Sequence, residues 1–265
     1  FGVAEVLGSV PSVNNLRLTP LGTAATITVA SGGTVTQAAT GASVSVPANA
    51  LVAAGGGAAP ATADVRVTAI DIGSDSNLLS GDFTDSSGTQ VQAYGSVVLS
   101  SSTALDVVGG QLLTLQIPLS NRSALTPASA TLYYLDVATG RWVADGSANL
   151  VAGAQPHYTA DVTRFAQWMV GTAITATQTV SGCVLDDAGA PAANVRIAAD
   201  GINYSSIAYT TTNAQGQFTL QLPTSSRTAV QGRRGAFLTN ATAVDVQSVP
   251  ISLLTCLTIP TTNAA

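Results

Sequence analysis

The chain contains no lysine, one histidine and one glutamate, and charged residues make up only 9% of its 265 residues. The absence of lysine excludes intramolecular lysine–asparagine isopeptide bonds and lysine-dependent covalent pilus assembly. The net charge is −5 and the nine arginines form no basic stripe, which argues against nucleic acid and anionic membranes as partners. The sequence also has no run of 18 apolar residues, so we expect no membrane insertion.

The shortage of histidine and glutamate also restricts the catalytic chemistry. His157, the single histidine, stands next to a proline and has no G-x-S-x-G nucleophile motif nearby. One histidine is too few for a histidine-based zinc site. The single glutamate, Glu5, and the thirteen scattered aspartates do not suggest the paired carboxylates of a glycosidase. We therefore expect no enzymatic activity and no bound cofactor.

Four aspartates are close together in the sequence and form the one candidate metal site. They are Asp71, Asp75, Asp82 and Asp85. Carboxylate oxygens are the ligands that Ca²⁺ prefers, although the spacing is not that of an EF-hand. The alternative is a solvated acidic loop without a metal.

Short stretches that alternate apolar and small polar residues recur along the chain. Residues 26–29, 43–46 and 65–67 each place β-branched side chains on one face of a strand. Further strands are predicted at residues 91–94, 96–99, 112–119, 132–135, 141–143 and 158–162. No stretch has a helical period, and strands separated by roughly 8–12 residues are typical of a β-sandwich or barrel.

The large side chains are concentrated in residues 132–171. This stretch holds Trp142 and Trp168, the only methionine and three of the six tyrosines. The rest of the chain is mainly Ala, Gly, Ser, Thr and Val, which supply little bulk. Because large rings bury the most area per side chain, we expect this stretch to anchor the main packed layer.

Six segments within residues 25–172 follow one another in a recognisable order: GASVSVPANAL, DVRVTAIDI, GDFTDSSG, LQIPL, LYYLDVATGRWVADGSA and YTADVTRFAQWMVG. Together they resemble the β module of bacterial surface proteins related to cartilage intermediate layer protein and to ZU5-type domains. In self-cleaving ZU5 relatives a His-Phe-Ser motif supplies the nucleophile. The matching triplet here is Arg164-Phe165-Ala166, so the resemblance implies that self-cleavage is absent.

A second resemblance covers residues 180–260, through VSGCVLDDAGAPAANVRIAADG and TTTNAQGQFTLQLP. These segments are similar to the carboxypeptidase regulatory-like domain, a transthyretin-like sandwich that does no chemistry in carboxypeptidases. Cys183 and Cys256 fall in its first and last strands, which can lie close together in such a sandwich. The resemblance therefore implies a disulfide in a secreted domain; two free buried thiols are the alternative.

The predicted fold is all-β, with two β-sandwich domains in tandem and an extended N-terminal arm. The arm spans residues 1–22, the first sandwich residues 23–173 and the second residues 174–265. The apolar residues of the arm, which could contact another subunit, are Val3, Val6, Leu7, Val10, Leu16, Leu18 and Leu21. The arm either lies on its own domain or adds as a strand to the open sheet edge of a neighbouring chain.

These features predict a non-catalytic, extracellular or cell-surface structural protein of bacterial type. We expect it to assemble with copies of itself, head to tail, into a filament or surface layer. The alternative is a carbohydrate-binding or adhesive module that recognises surface glycans through exposed aromatic rings. The candidate rings are Tyr133, Tyr134, Trp142 and Tyr204, and strand alternation places the first two on opposite faces. A third possibility is an accessory domain of a larger enzyme.

Overall fold

A computed structural model describes residues 19–261 of the chain. Within that range it contains twenty-one β-strands and a single short 3₁₀ turn, Ser76–Leu78. The predicted all-β fold class is therefore confirmed. Six of the seven apolar arm residues, from Val3 to Leu18, lie outside the described residues.

The N-terminal unit (residues 25–173) is built mainly on one ten-stranded sheet. Its strands are β1 (Ala25–Thr28), β2 (Gly33–Gln37), β3 (Ala42–Val46), β4 (Leu51–Ala53), β5 (Thr62–Ile70), β6 (Val91–Ser101), β7 (Leu105–Val107), β8 (Leu113–Pro118), β9 (Ser129–Asp136), β10 (Arg141–Val151), β11 (His157–Val162) and β12 (Gln167–Ala173). The strand order in the sheet is β1-β5-β6-β12-β9-β10-β11-β8-β3-β2, while β4 and β7 pair separately. All of these pairs are antiparallel.

The large sheet folds back on itself around one core. Its two outermost strands, β1 and β2, are consecutive in the chain and are joined by a tight turn, in which the Gly32 N–H donates to the Thr28 carbonyl at 2.9 Å. The two ends of the strand order therefore meet. Residues from the alternating stretches, such as Val44, Val67 and Leu115, fill the space enclosed by the sheet, together with Trp168.

The structure joins two predicted strands into one. Residues 91–94 and 96–99 were expected to form separate strands. They form the single strand β6, and Gly95 lies in its interior. A side chain at this position would have its Cβ 2.4 Å from the Pro118 carbonyl oxygen. The glycine thus marks a close approach of another backbone and not a turn.

The C-terminal unit (residues 177–259) consists of two further sheets. Its strands are β13 (Thr177–Asp186), β14 (Arg196–Gly201), β15 (Ile207–Thr211), β16 (Gln217–Pro223), β17 (Ser226–Arg234), β18 (Phe237–Leu238), β19 (Thr242–Val246), β20 (Ile251–Ser252) and β21 (Leu257–Ile259). One sheet contains β16, β13, β20 and β21, and the other contains β15, β14, β17, β18 and β19. Val195, Ile197, Phe218 and Leu220 are all buried in a shared cluster between these sheets.

A disulfide joins the first and last strands of the C-terminal unit. Cys183 and Cys256 are bonded, with their Cα atoms 4.6 Å apart. β13 and β21 run parallel at this point, and Val184 is paired with Leu257 immediately beyond the bond. The predicted cross-link is present in the structure.

We expect the double substitution Cys183→Ser and Cys256→Ser to lower the free energy of unfolding of the C-terminal unit. The bond closes a loop with a sequence separation of 73, for which the chain-entropy model gives about 4 kcal/mol. Urea unfolding followed by circular dichroism measures the change. Fluorescence of the two tryptophans, both in the N-terminal unit, reports separately on that unit. A loss below about 1 kcal/mol would contradict the expectation.

Candidate functional site

The N-terminal and C-terminal units share a third hydrophobic cluster, which we call the joint. The joint contains Ile70, Ile72, Leu79, Phe83, Val91, Ala93, Tyr133, Trp142 and Met169 from the N-terminal unit and Ile207 from the C-terminal unit. Main-chain bonding continues across it, since the Ala93 N–H donates to the Ser205 carbonyl at 2.9 Å. The two units therefore contact each other through a buried apolar surface and not only through the connecting residues 174–176.

Trp142 fixes the long β5–β6 loop against the joint. Its side chain is 0% exposed, and its indole N–H donates to the Asp82 carbonyl at 2.8 Å. The main chain of Trp142 is also bonded on both sides, to Thr84 at 3.2 Å and to Ser86 at 2.8 Å. A buried indole with its N–H bonded combines a large apolar area with a satisfied donor. The loop that carries Asp82 and Thr84 is held in place by this ring.

Arg122 connects the two units through its side chain. Its guanidinium donates to the Gly73 carbonyl at 3.0 Å and to the Asp200 carboxylate at 2.8 Å, and also to the Gly201 carbonyl. The Arg122 main-chain N–H donates to the Ser205 hydroxyl at 2.9 Å. The pair with Asp200 is mostly shielded on the arginine side, where the side chain is 19% exposed. This residue is the main polar contact across the joint.

An open cleft of about 530 Å³ lies between the two units beside the joint. One wall comes from the β5–β6 loop and the start of β10, and the other from the connecting residues, β15 and β16. The lining residues are Asp82, Thr84, Gly88, Thr89, Gln90, Arg141, Ile174, Thr177, Ile207, Ala208, Tyr209, Thr219, Leu220 and Gln221. Concave surfaces between packed units are common sites for ligands, so this cleft is the candidate functional site.

The two charged side chains of the cleft are paired with each other. Arg141 donates to the Asp82 carboxylate at 3.2 Å, so the only ion pair in the lining is neutral overall. Tyr209 is 38% exposed, and the Arg196 guanidinium lies 4.2 Å from the centre of its ring. Burial is the main cause that raises the pKa of Tyr209, so its hydroxyl is protonated at neutral pH and can donate a hydrogen bond.

The rings that the sequence suggested for glycan binding are not available for stacking. Trp142, Tyr133 and Tyr204 are buried. Tyr134 is half-buried, and its face is covered by the Arg164 guanidinium at 4.2 Å. The sequence reasoning missed Tyr209, the ring that does line the cleft. The sequence feature that could have indicated it is a single aromatic residue in a stretch, residues 205–212, made mostly of small and polar residues.

The structure does not bring the four loop aspartates together as a metal site. Asp71 accepts hydrogen bonds from Ser120 and Ser74, and Asp75 caps the 3₁₀ turn by accepting from the Asn77 N–H at 3.0 Å. Asp82 pairs with Arg141. Asp85 accepts from the N–H groups of Ser87 and Thr89, both at 2.9 Å. In residues 19–261 no group of three or more acidic, histidine or cysteine side chains could hold a metal ion.

Two other residues singled out in the sequence have local contacts. The His157 Nδ1 lies 3.0 Å from the Gln155 carbonyl oxygen. Arg164, which begins the Arg164-Phe165-Ala166 triplet, stacks on Tyr134 and lies 3.5 Å from the Asp145 carboxylate. Neither contact is with the cleft.

Comparison with protein-family models found none that matches the chain, and comparison with curated proteins found no match either. Among residues 19–261 no helix is long and apolar enough to cross a membrane.

We expect Arg122→Gln to destabilise the contact between the two units by about 2 kcal/mol, because it removes charged hydrogen bonds from a partly buried site and leaves Asp200 without its partner. Thermal or urea unfolding measures the loss. Arg227→Gln is the matched control, since Arg227 pairs with Asp245 at 3.5 Å on the open surface and should cost at most about 0.5 kcal/mol. Equal effects of the two substitutions would contradict the assigned role of Arg122.

Acid should weaken the β5–β6 loop through Asp71. The hydrogen bond from Ser120 is the main cause that lowers the pKa of Asp71 below its ordinary value of 3.8. A lowered pKa adds stability above about pH 4, and this stability is lost as the pH falls through 3.8 towards the folded-state value. The urea midpoint of Ser120→Ala should approach that of the unmodified chain below about pH 4.

The same Ser120→Ala substitution made in an Asp71→Asn background is the control. There the effect of Ser120→Ala should not depend on pH, because the titrating carboxyl is gone. A difference that still narrows with acid in this background would show that another group is responsible.

Proposed function

We propose that this chain is a non-catalytic structural protein of an extracellular or cell-surface layer, which assembles head to tail by adding its N-terminal arm as a strand to another copy. The observation that carries the proposal is the contact of Gly22 with β5. Gly22 lies in the register of β1 on β5, where its N–H donates to the Thr68 hydroxyl at 2.9 Å. A Cβ on Gly22 would be 2.2 Å from the Val67 carbonyl oxygen, so the contact is close.

The exposure of Leu21, beside the Gly22 contact, also supports the proposal. Leu21, the last apolar residue of the arm, is 67% exposed although Gly22 beside it is buried. Beyond the end of the pairing between β1 and β5, the Gln37 side-chain oxygen accepts from the Ala69 N–H at 2.8 Å. A side chain therefore satisfies this main-chain N–H of β5, which no strand among the described residues reaches. The apolar residues that precede Leu21 in the sequence need another surface to bury them.

Two properties of the chain support a location outside the cell. The Cys183–Cys256 bond is of a kind that persists in oxidising compartments. Most of the exposed residues of the strands are Thr, Ser and Gln, and only 9% of all residues are charged.

The local use of the acidic groups supports a non-catalytic role. Asp71, Asp75 and Asp85 each accept hydrogen bonds within their own turns or from neighbouring hydroxyls, and Asp82 is paired with Arg141. We also propose that the two units are relatives of the cartilage-intermediate-layer/ZU5-type module and of the carboxypeptidase regulatory-like domain. The arrangement of the disulfide between the first and last strands of the second unit supports the latter.

Removal of residues 1–18 should convert high-mass assemblies into monomers while the fold is retained, since Gly22 and its contact with Thr68 remain. Leu16→Ser with Leu18→Ser should have the same effect at full length. Light scattering and negative-stain electron microscopy of protein from the extracellular fraction measure assembly, against a chain mass of 26.4 kDa. Val137→Ser, which removes an apolar side chain 89% exposed in a distant turn, is the control.

Unchanged assembly after the deletion would rule out the arm as the contact. A full-length chain that is monomeric under the same conditions would overturn the structural function itself.

A further inference from the structure

Two open strand edges border the cleft between the units. Within the described residues, β15 pairs only with β14, and β16 pairs only with β13. An unpaired edge presents main-chain N–H and C=O groups that can pair with another strand. Tyr209 of β15 and Thr219 of β16 both line the cleft, so the two edges face the same space.

The register of β15 shows which of its main-chain groups are free. In an antiparallel pair, alternate residues direct their N–H and C=O towards the partner strand. The Thr212 N–H donates to the Val195 carbonyl at 3.0 Å, so Thr212 and every second residue before it face β14. Tyr209 and Thr211 therefore direct their main-chain groups away from β14. No hydrogen bond among residues 19–261 uses these groups.

The register of β16, the facing strand, likewise shows which of its main-chain groups are free. The Val184 N–H donates to the Gly216 carbonyl at 2.7 Å, so Gly216 and every second residue after it face β13. Thr219 and Gln221 direct their main-chain groups into the open. The apolar part of the cleft lies between the two edges and includes Ile207 and Leu220.

We propose that the arm, residues 1–22, of a second copy adds as a strand to the open edge of β15 in this cleft. The inference rests on the proposed function and names the acceptor that function requires. Residues 16–19, Leu-Arg-Leu-Thr, alternate apolar and polar side chains as a strand with one buried face does. Pro20 follows, and proline is suited to the end of a strand because it has no N–H. Main-chain bonds to Tyr209 and Thr211 supply the affinity.

The state of the polar groups in the cleft favours a strand over a glycan. Asp82 and Arg141 are paired with each other. The side-chain amides of Gln90 and Gln221 already donate to hydroxyl groups at 2.9 and 3.0 Å. The charged and amide side chains of the cleft, which are the strongest binders of sugar hydroxyls, are thus engaged, whereas the main-chain groups of Tyr209 are not. An added strand satisfies those groups without breaking existing bonds.

The first test compares Tyr209→Pro with Tyr209→Ala in the full chain. Because the Tyr209 N–H is not part of the pairing with β14, proline removes no hydrogen bond of the fold but blocks the open edge. A fluorescent peptide of residues 1–22 is titrated with each variant and followed by anisotropy. We expect Tyr209→Pro to weaken binding at least about tenfold and Tyr209→Ala to weaken it less than about threefold. Melting temperatures of the two variants confirm that the fold is retained.

The second test identifies the occupant directly and does not depend on the proline variant. Benzoylphenylalanine is placed at position 209 in an equal mixture of chains labelled with ¹⁴N and ¹⁵N. After irradiation, mass spectrometry should find cross-links between position 209 of one isotopic form and residues 1–22 of the other.

Each contrary result has a distinct meaning. Cross-links within one isotopic form only, or to other segments, would overturn the second-copy arm as occupant. Equal loss of peptide binding with proline and alanine would show that the peptide contacts the Tyr209 side chain, and would overturn strand addition to the main chain. Arm-dependent assembly that survives Tyr209→Pro and yields no cross-link would overturn the acceptor edge and leave the proposed function standing. Failure of the peptide to bind, together with a monomeric chain, would overturn both.

Discussion

The burial of one indole ring determines the arrangement of the cleft region. Trp142 lies at the start of β10 and is enclosed by residues of the joint, with its N–H bonded to the Asp82 carbonyl. Through its main chain it also holds Thr84 and Ser86. A long loop without regular structure would otherwise be free to move. The position of one wall of the cleft, and the contact of that wall with Ile207, follow from this single side chain.

The composition explains why only a few large or charged side chains hold the sheets and the two units together. A chain rich in Ala, Gly, Ser and Thr can build many strands but has few large side chains for the interfaces between them. Each of the two tryptophans fills a different hydrophobic cluster, since Trp168 packs in the core of the large sheet and Trp142 in the joint. The same economy applies to charge. The chain has only nine basic residues. One of them, Arg122, bonds both to Gly73 of the N-terminal unit and to Asp200 and Gly201 of the C-terminal unit.

The parts of the structure that depend on local alternation could be predicted from the sequence. The strands at residues 26–29, 43–46 and 65–67, the buried face of Phe218 and Leu220, and the cysteine pair follow from period and family resemblance. Pairing between distant strands could not be predicted, because register depends on contacts far apart in sequence. The close backbone contact at Gly95 could not be predicted without the position of Pro118. The exposure of Tyr209 could not be predicted without knowing how the two units contact each other at the joint. Trp142 was expected to anchor the main packed layer, but it lies in the joint, in the cluster that also contains Ile207 of the C-terminal unit.

The disulfide also decides how the C-terminal unit responds to mechanical tension. Because β13 and β21 are parallel, a pull on the chain before Thr177 and after Ile259 loads their pairing in shear. The Cys183–Cys256 bond lies immediately before this pairing, so the force passes from β13 to the residues that lead into β21 through a covalent link. Residues 184–255, with most of the hydrophobic core and the β15 edge, are outside the path of the load. A pull applied at these two ends of the unit is therefore transmitted without stretching residues 184–255.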